Sequence, residues 1–143
     1  MAELVVTLDV DAPAQPVWDA LTDWELHDRW MLFTRASGGR SEGASIEAVT
    51  GVGRLSVRDT MTIVVWEPPR RCVVRHTGRV VRGSGAFEVQ VLGPDRSRIV
   101  WSEWLELPLG VLGRLGWQVV RPLARLGVAL SLRRLARLVG SGG

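Results

Sequence analysis

The chain has 143 residues, 46% of them hydrophobic, and a net charge of +3; this suits one packed domain and excludes a disordered chain. All 18 basic residues are Arg, which excludes Schiff-base chemistry and a Walker-type phosphate loop, since both need Lys. The pI of 10.8 is inflated by the high pKa of Arg and the net charge is only +3, so a nucleic-acid partner is not expected.

Cys72 is the single cysteine, so no internal disulfide can form. Met1 to Asp11 has no basic region followed by an apolar stretch, and no window reaches the ~18 apolar residues of a spanning helix. The expected location is the cytoplasm, and the expected domain covers residues 1–140 with a flexible tail at 141–143. Seven Trp and no Tyr supply large, rigid side chains suited to a core or a pocket wall.

In chain order, Glu3 to Val10 alternates as a strand. Pro13 and Pro16 fall in the first turn of a helix whose apolar side is Val17, Trp18, Ala20 and Leu21. Asp23 is placed to cap a second short helix, Trp24 to Met31, and Gly38 to Gly43 reads as a loop. From there the period is two. Strands are predicted at Ser45–Thr50, Arg54–Trp66, Arg71–Gly78, Val80–Leu92 and Arg98–Leu107, with turns between them, so the six strands form an antiparallel meander. Leu109 to Val139 is helical in composition, with Pro122 expected to kink or restart it. Leu112, Leu115, Val119, Leu123, Leu126 and Leu130 share one side of it, opposite Arg114, Arg121 and Arg125.

This order resembles the helix-grip fold of the START-like, or SRPBCC, superfamily, and specifically its polyketide cyclase/dehydrase type as found in small uncharacterised actinobacterial members. The resemblance is carried by Val10-Asp11-Ala12-Pro13-Ala14 with Val17-Trp18-Asp19-Ala20-Leu21-Thr22-Asp23, by Trp30, by the turn Trp66-Glu67-Pro68-Pro69-Arg70-Arg71, and by the long final helix. It implies an α+β domain in which a curved antiparallel sheet of about six strands, two short helices and a long C-terminal helix enclose a cavity for lipids, sterols, polyketides or hormones. No catalytic residue is carried over from it.

Strand alternation gives an independent view of the site. On the long strand, Val57, Asp59, Met61, Ile63 and Val65 share a face; on the next, Cys72, Val74 and His76 do; then Phe87 and Val89, with Gly83 and Gly85; and on the last strand Trp101 and Glu103. Trp104 falls on the opposite side, which points to a bulge that would shift the phase. With these phases Asp59, His76 and Glu103 meet in one apolar cavity, as acid and base for a cyclisation or as a structural cluster. Trp30, Met31 and Phe33, with Trp24 and His27, are expected either in the core or as a wall and gate of that cavity. Val119, Leu123 and Leu126 are expected to close it from the helix.

No metal site is expected, because His27, His76 and Cys72 stand at no ligand spacing. No cofactor is implied. Gly-x-Ser-x-Gly is absent, and Gly83-Ser84-Gly85 and Gly51-Val52-Gly53 read as strand bends or turns. Cys72 reads as a small buried strand residue. The expected function is binding of a small hydrophobic or amphipathic ligand. The alternatives are a cyclase or dehydratase using Asp59, His76 and Glu103, and a toxin-like or surface-interaction protein using the Arg face. Peripheral membrane contact fits that face; the oligomeric state is open.

Overall fold

A computed structural model of the chain describes residues 2–78, 82–106 and 111–141. Alternating Leu4, Val6 and Val10 bury one face of β1 (Ala2–Val10). Pro13 then stands at the N-cap of α1 (Ala14–Thr22), with Pro16 in its first turn, where a missing N–H breaks no helical bond. A 3-10 turn (Trp24–Leu26) leads into the four-residue α2 (His27–Trp30). Asp23 makes no side-chain cap there; its carboxylate instead meets Arg40 at 3.4 Å.

Six further strands follow: β2 (Thr34–Gly38), β3 (Ser45–Val52), β4 (Leu55–Glu67), β5 (Arg71–Thr77), β6 (Arg82–Gly93) and β7 (Arg96–Leu105). They form one curled antiparallel sheet in the order β1-β7-β6-β5-β4-β3-β2. The seventh strand is β2, one more than the period-two pattern predicts. Its Thr-Arg-Ala-Ser-Gly sequence has few β-branched or aromatic residues, and pairing with β3 is what holds it extended. Of the predicted strand at Val80–Leu92, Val80 and Val81 lie outside the described residues, as does Leu107 of the last one.

No bulge accompanies Trp104. It stays in regular register between Glu3 and Ser84 and donates from Nε1 to Glu3 at 3.1 Å on the outer face. The bulge lies on β4, where the register with β5 shifts between Ile63 and Val65. Val65 pairs with Val73, whereas Trp66 pairs with Cys72, so Trp66, not Val65, shares the inner face with Ile63.

The last element, α3 (Val111–Ser141), is one helix with Pro122 inside it. Pro122 and Gln118 are both exposed, so the carbonyl left unbonded by the missing N–H can be hydrated. Leu109 and Gly110 of the expected helix, and 142–143 of the expected tail, lie outside the described residues. α3 packs on β1, α1 and α2 through Leu132 and Leu135, both fully buried; each such side chain contributes about 1.5–3 kcal/mol. The hydroxyl of Ser131 accepts from the Leu32 N–H at 3.0 Å and donates to the Gly127 carbonyl at 2.8 Å, which fixes the rotation of the helix.

That rotation differs from the one expected. Small and apolar Ala124, Val128, Leu132 and Leu135 face the body. The stripe containing Val119, Leu123 and Leu126 faces outward and is exposed. Both stripes have helical period, so periodicity alone does not choose between them; the small side chains allow the closer approach.

Candidate functional site

A cavity of about 150 Å³ lies between the inner face of the sheet and the 24–31 segment. Its wall is held in place by two bonds to the β2–β3 loop: Trp24 Nε1 donates to the Gly39 carbonyl at 2.7 Å, and Arg40 Nε donates to the Thr22 carbonyl at 2.7 Å. Met61, Val74, Phe87 and Trp101 line it from β4 to β7, and Met31 from beyond α2. Phe87 and Trp101 stack with centroids 6.0 Å apart.

The polar end is made by three strands. Met61 is opposite His76 in the β4–β5 ladder, so Asp59, two residues before it on the same face, reaches His76 diagonally. Glu103 on β7 is opposite Gly85 on β6, and Gly85 is opposite Val74 on β5. A side chain at Gly85 would block the way. Without it the Glu103 carboxylate extends across β6 to His76. His76 thus sits between two acids, with Nδ1 2.9 Å from Asp59 Oδ1 and Nε2 2.9 Å from Glu103 Oε2.

Carboxylates accept, so both ring nitrogens donate and the imidazole is in its cationic form. Burial opposes that charge, but the hydrogen bonds and charges of Asp59 and Glu103 outweigh it and push the His76 pKa up to about 10. Burial raises the Glu103 carboxyl despite the opposing His76. The cluster therefore holds its protons tightly inside an apolar wall.

A second histidine lines the same cavity. The ring of His27 packs between Trp24 and Trp30, with centroids 5.4 and 4.6 Å away. Its Nε2 lies 3.0 Å from the Leu21 carbonyl. A carbonyl only accepts, so the proton is assigned to Nε2 and Nδ1 is the acceptor. Burial lowers the pKa of His27 and keeps it neutral. One pocket thus contains a cationic and a neutral imidazole. The spacing Trp24, His27, Trp30 is the sequence signal for this placement, since residues three apart share a face of a short helix.

Not every expected lining residue reaches the cavity. Trp30, Ile63 and Val89 are core residues behind it. Trp30 Nε1 has no hydrogen-bond partner among the described residues. Phe33 turns outward with φ 55° and is exposed. Val57 is exposed near the β3–β4 turn, beyond the point where the helices cover the strand. Val119, Leu123 and Leu126 face away, and among the described residues none of α3 lines the cavity. Thr34, Ile46 and Cys72 do line it; Thr34 and Ile46 belong to β2 and to the neighbour that β2 covers.

The sheet, the short helices and the long helix define a helix-grip protein with an internal cavity. The sequence pattern of the family described as polyketide cyclase / dehydrase and lipid transport matches residues 1–140, and the chain belongs to that family. Among solved structures, TTHA0849 from Thermus thermophilus is similar with a TM-score of 0.82, 19% identity and 99% coverage of both chains. The Zhui aromatase/cyclase from Streptomyces sp. R1128 has a TM-score of 0.80 and 15% identity, with 97% of this chain and 93% of that chain covered. The di-domain ARO/CYC BexL of the BE-7585A biosynthetic pathway has a TM-score of 0.75 and 18% identity, and this chain spans 48% of it. At these identities the likeness is one of fold. A search of curated proteins found no match.

Proposed function

We propose that this chain binds a small, mainly apolar molecule bearing a hydroxyl group, with its apolar body against Met61, Phe87 and Trp101 and its polar end at Asp59, His76 and Glu103. The observation that carries this reading is the bridged His76 at one end of a mainly apolar cavity. Ligand sites combine apolar walls with a few placed polar groups. A cavity near 150 Å³ holds about one aromatic ring, so a larger ligand would place one ring inside and extend through the mouth. Because His76 spends both nitrogens on carboxylates, the remaining carboxylate oxygens are what a ligand meets. They favour a hydroxyl donor and repel an anion.

The test compares p-cresol with toluene, each titrated against the tryptophan fluorescence of the protein. The expected result is tighter binding of p-cresol, with the difference lost in Asp59→Asn/Glu103→Gln. Equal affinities in the native protein would overturn the reading.

A second reading is favoured by the pair of imidazoles. In an aldol cyclisation a base removes a proton beside one carbonyl while an acid protonates the oxygen of another. Neutral His27 suits the first step, and the protonated His76–Glu103 cluster the second, because their environments push the two histidines apart. The family and the aromatase/cyclase neighbours support this reading. Asp59→Asn and His27→Gln should each abolish turnover of a poly-β-ketone thioester while leaving product binding in place. Unchanged turnover in both would remove it.

A further inference from the structure

Among the described residues, nothing covers the outer face of α3. Leu112, Val119 and Leu123 are 69%, 71% and 68% exposed, and Leu115, Leu126 and Leu130 are exposed beside them. At ~100° per residue these six side chains fall within an arc of about 80°. Monomeric proteins rarely leave such a continuous apolar strip in water. The side chains that bind the helix to the body, Ala124, Val128, Leu132 and Leu135, lie on the opposite side, so the strip contributes nothing to the fold.

Two observations say what covers it. First, α3 has six arginines and no acidic residue along its 31 residues. Arg133 and Arg137 are exposed and continue the same arc by one to two turns past Leu130, so one face presents leucines first and guanidinium groups last. Second, the strip is small. From Leu112 to Leu130 it runs about 27 Å, and the accessible surface of its six side chains, on the order of 600 Å², falls short of the ~800 Å² per partner of a stable protein interface. A second copy is therefore a poor occupant. A lipid surface has no such threshold: leucines enter the acyl boundary while arginines bind phosphate.

We infer that the outer face of α3 is a peripheral docking surface for an anionic lipid bilayer, with Leu112 to Leu130 entering the interface and Arg133 lying at the headgroup phosphates. The surface is on the far side of the helix from its contacts with the body. Docking therefore leaves the packing of Leu132 and Leu135 intact, and this inference stands independently of what the cavity binds.

The test is cosedimentation of the full chain with vesicles of phosphatidylcholine alone and of phosphatidylcholine with phosphatidylglycerol, at physiological salt. The native protein is expected to sediment with the anionic vesicles and to stay largely in solution with the neutral ones. Val119→Asp/Leu123→Asp should weaken binding by about tenfold or more, and Arg133→Glu by several fold. These positions are exposed, so the melting temperatures should match the native protein, and a match shows that a loss of binding is not unfolding. No binding to anionic vesicles would overturn the inference, as would equal binding to both compositions. So would a dimer in sedimentation equilibrium that the double variant disperses, because the strip would then belong to a second copy.

Discussion

Gly85 and Glu103 face each other across the β6–β7 ladder, and a Cβ at position 85 would lie 2.7 Å from Glu103 Oε2 and 3.1 Å from its Cδ. The missing side chain is what lets a carboxylate on β7 reach a histidine two strands away. Gly85→Ala should therefore be tolerated by the sheet, because the atom it meets is the end of a flexible side chain, but it should push the carboxylate off His76. The expected outcome is a fall in the His76 pKa in an NMR titration with little change in melting temperature. An unchanged titration would show that the glycine has no such role.

The cluster also predicts how stability varies with pH. His76 is raised from 6.5 in the unfolded chain to about 10 in the folded one, so its contribution is complete below pH 6.5 and is lost as the pH rises through about 10. Glu103 is raised as well, and it pulls the same way: the folded protein holds protons that the unfolded chain releases. Denaturant unfolding should show stability declining from neutral to alkaline pH, with the decline flattened in Asp59→Asn/Glu103→Gln. The same slope in both proteins would place its origin elsewhere.

Cys72 lines the cavity but is fully buried, and burial pushes its thiol up to about 12. Only the thiolate is nucleophilic. Iodoacetamide at mildly alkaline pH should leave the native protein unlabelled by mass spectrometry and label it completely in denaturant. Rapid labelling of the native protein would contradict this burial.

The two sides of α3 should respond differently to truncation. Leu135→Ala removes a fully buried side chain and is expected to cost about 2–5 kcal/mol. Leu123→Ala on the exposed strip should stay within about 0.5 kcal/mol. Comparable losses in denaturant melts would mean that the strip is covered in solution.

Much of the site is legible in the sequence. Asp59, His76 and Glu103 share a face because alternation along a strand has a period of two, and no bulge intervenes among them. The helix is not legible in the same way. Leu112 to Leu130 and Ala124 to Leu135 both repeat with helical spacing, and the richer stripe draws the prediction inward. What decides the rotation is local: the Ser131 hydroxyl bound to Leu32, and small Ala124 against the body. β2 escapes a reading by pattern because pairing, not propensity, makes it a strand. The place of His27 depends on the Leu21 carbonyl and two indoles, a neighbourhood visible only once the short helices are packed.

The bulge on β4 has a consequence for how this architecture can vary. Val64 is the residue without a partner between Ile63 and Val65. Before it the strand supplies Asp59 and Met61 to the cavity; after it comes Trp66, packed on Trp18 at 5.3 Å. The strand is thus two separately phased segments joined at one residue. Deleting Val64 would remove the bulge and join the two segments in regular alternation, with Ile63 still opposite Val74 and Trp66 still opposite Cys72 on the inner face. The extra residue therefore sets the local bend and twist of the strand, while the Trp18–Trp66 contact and the groups that handle protons keep their places with or without it.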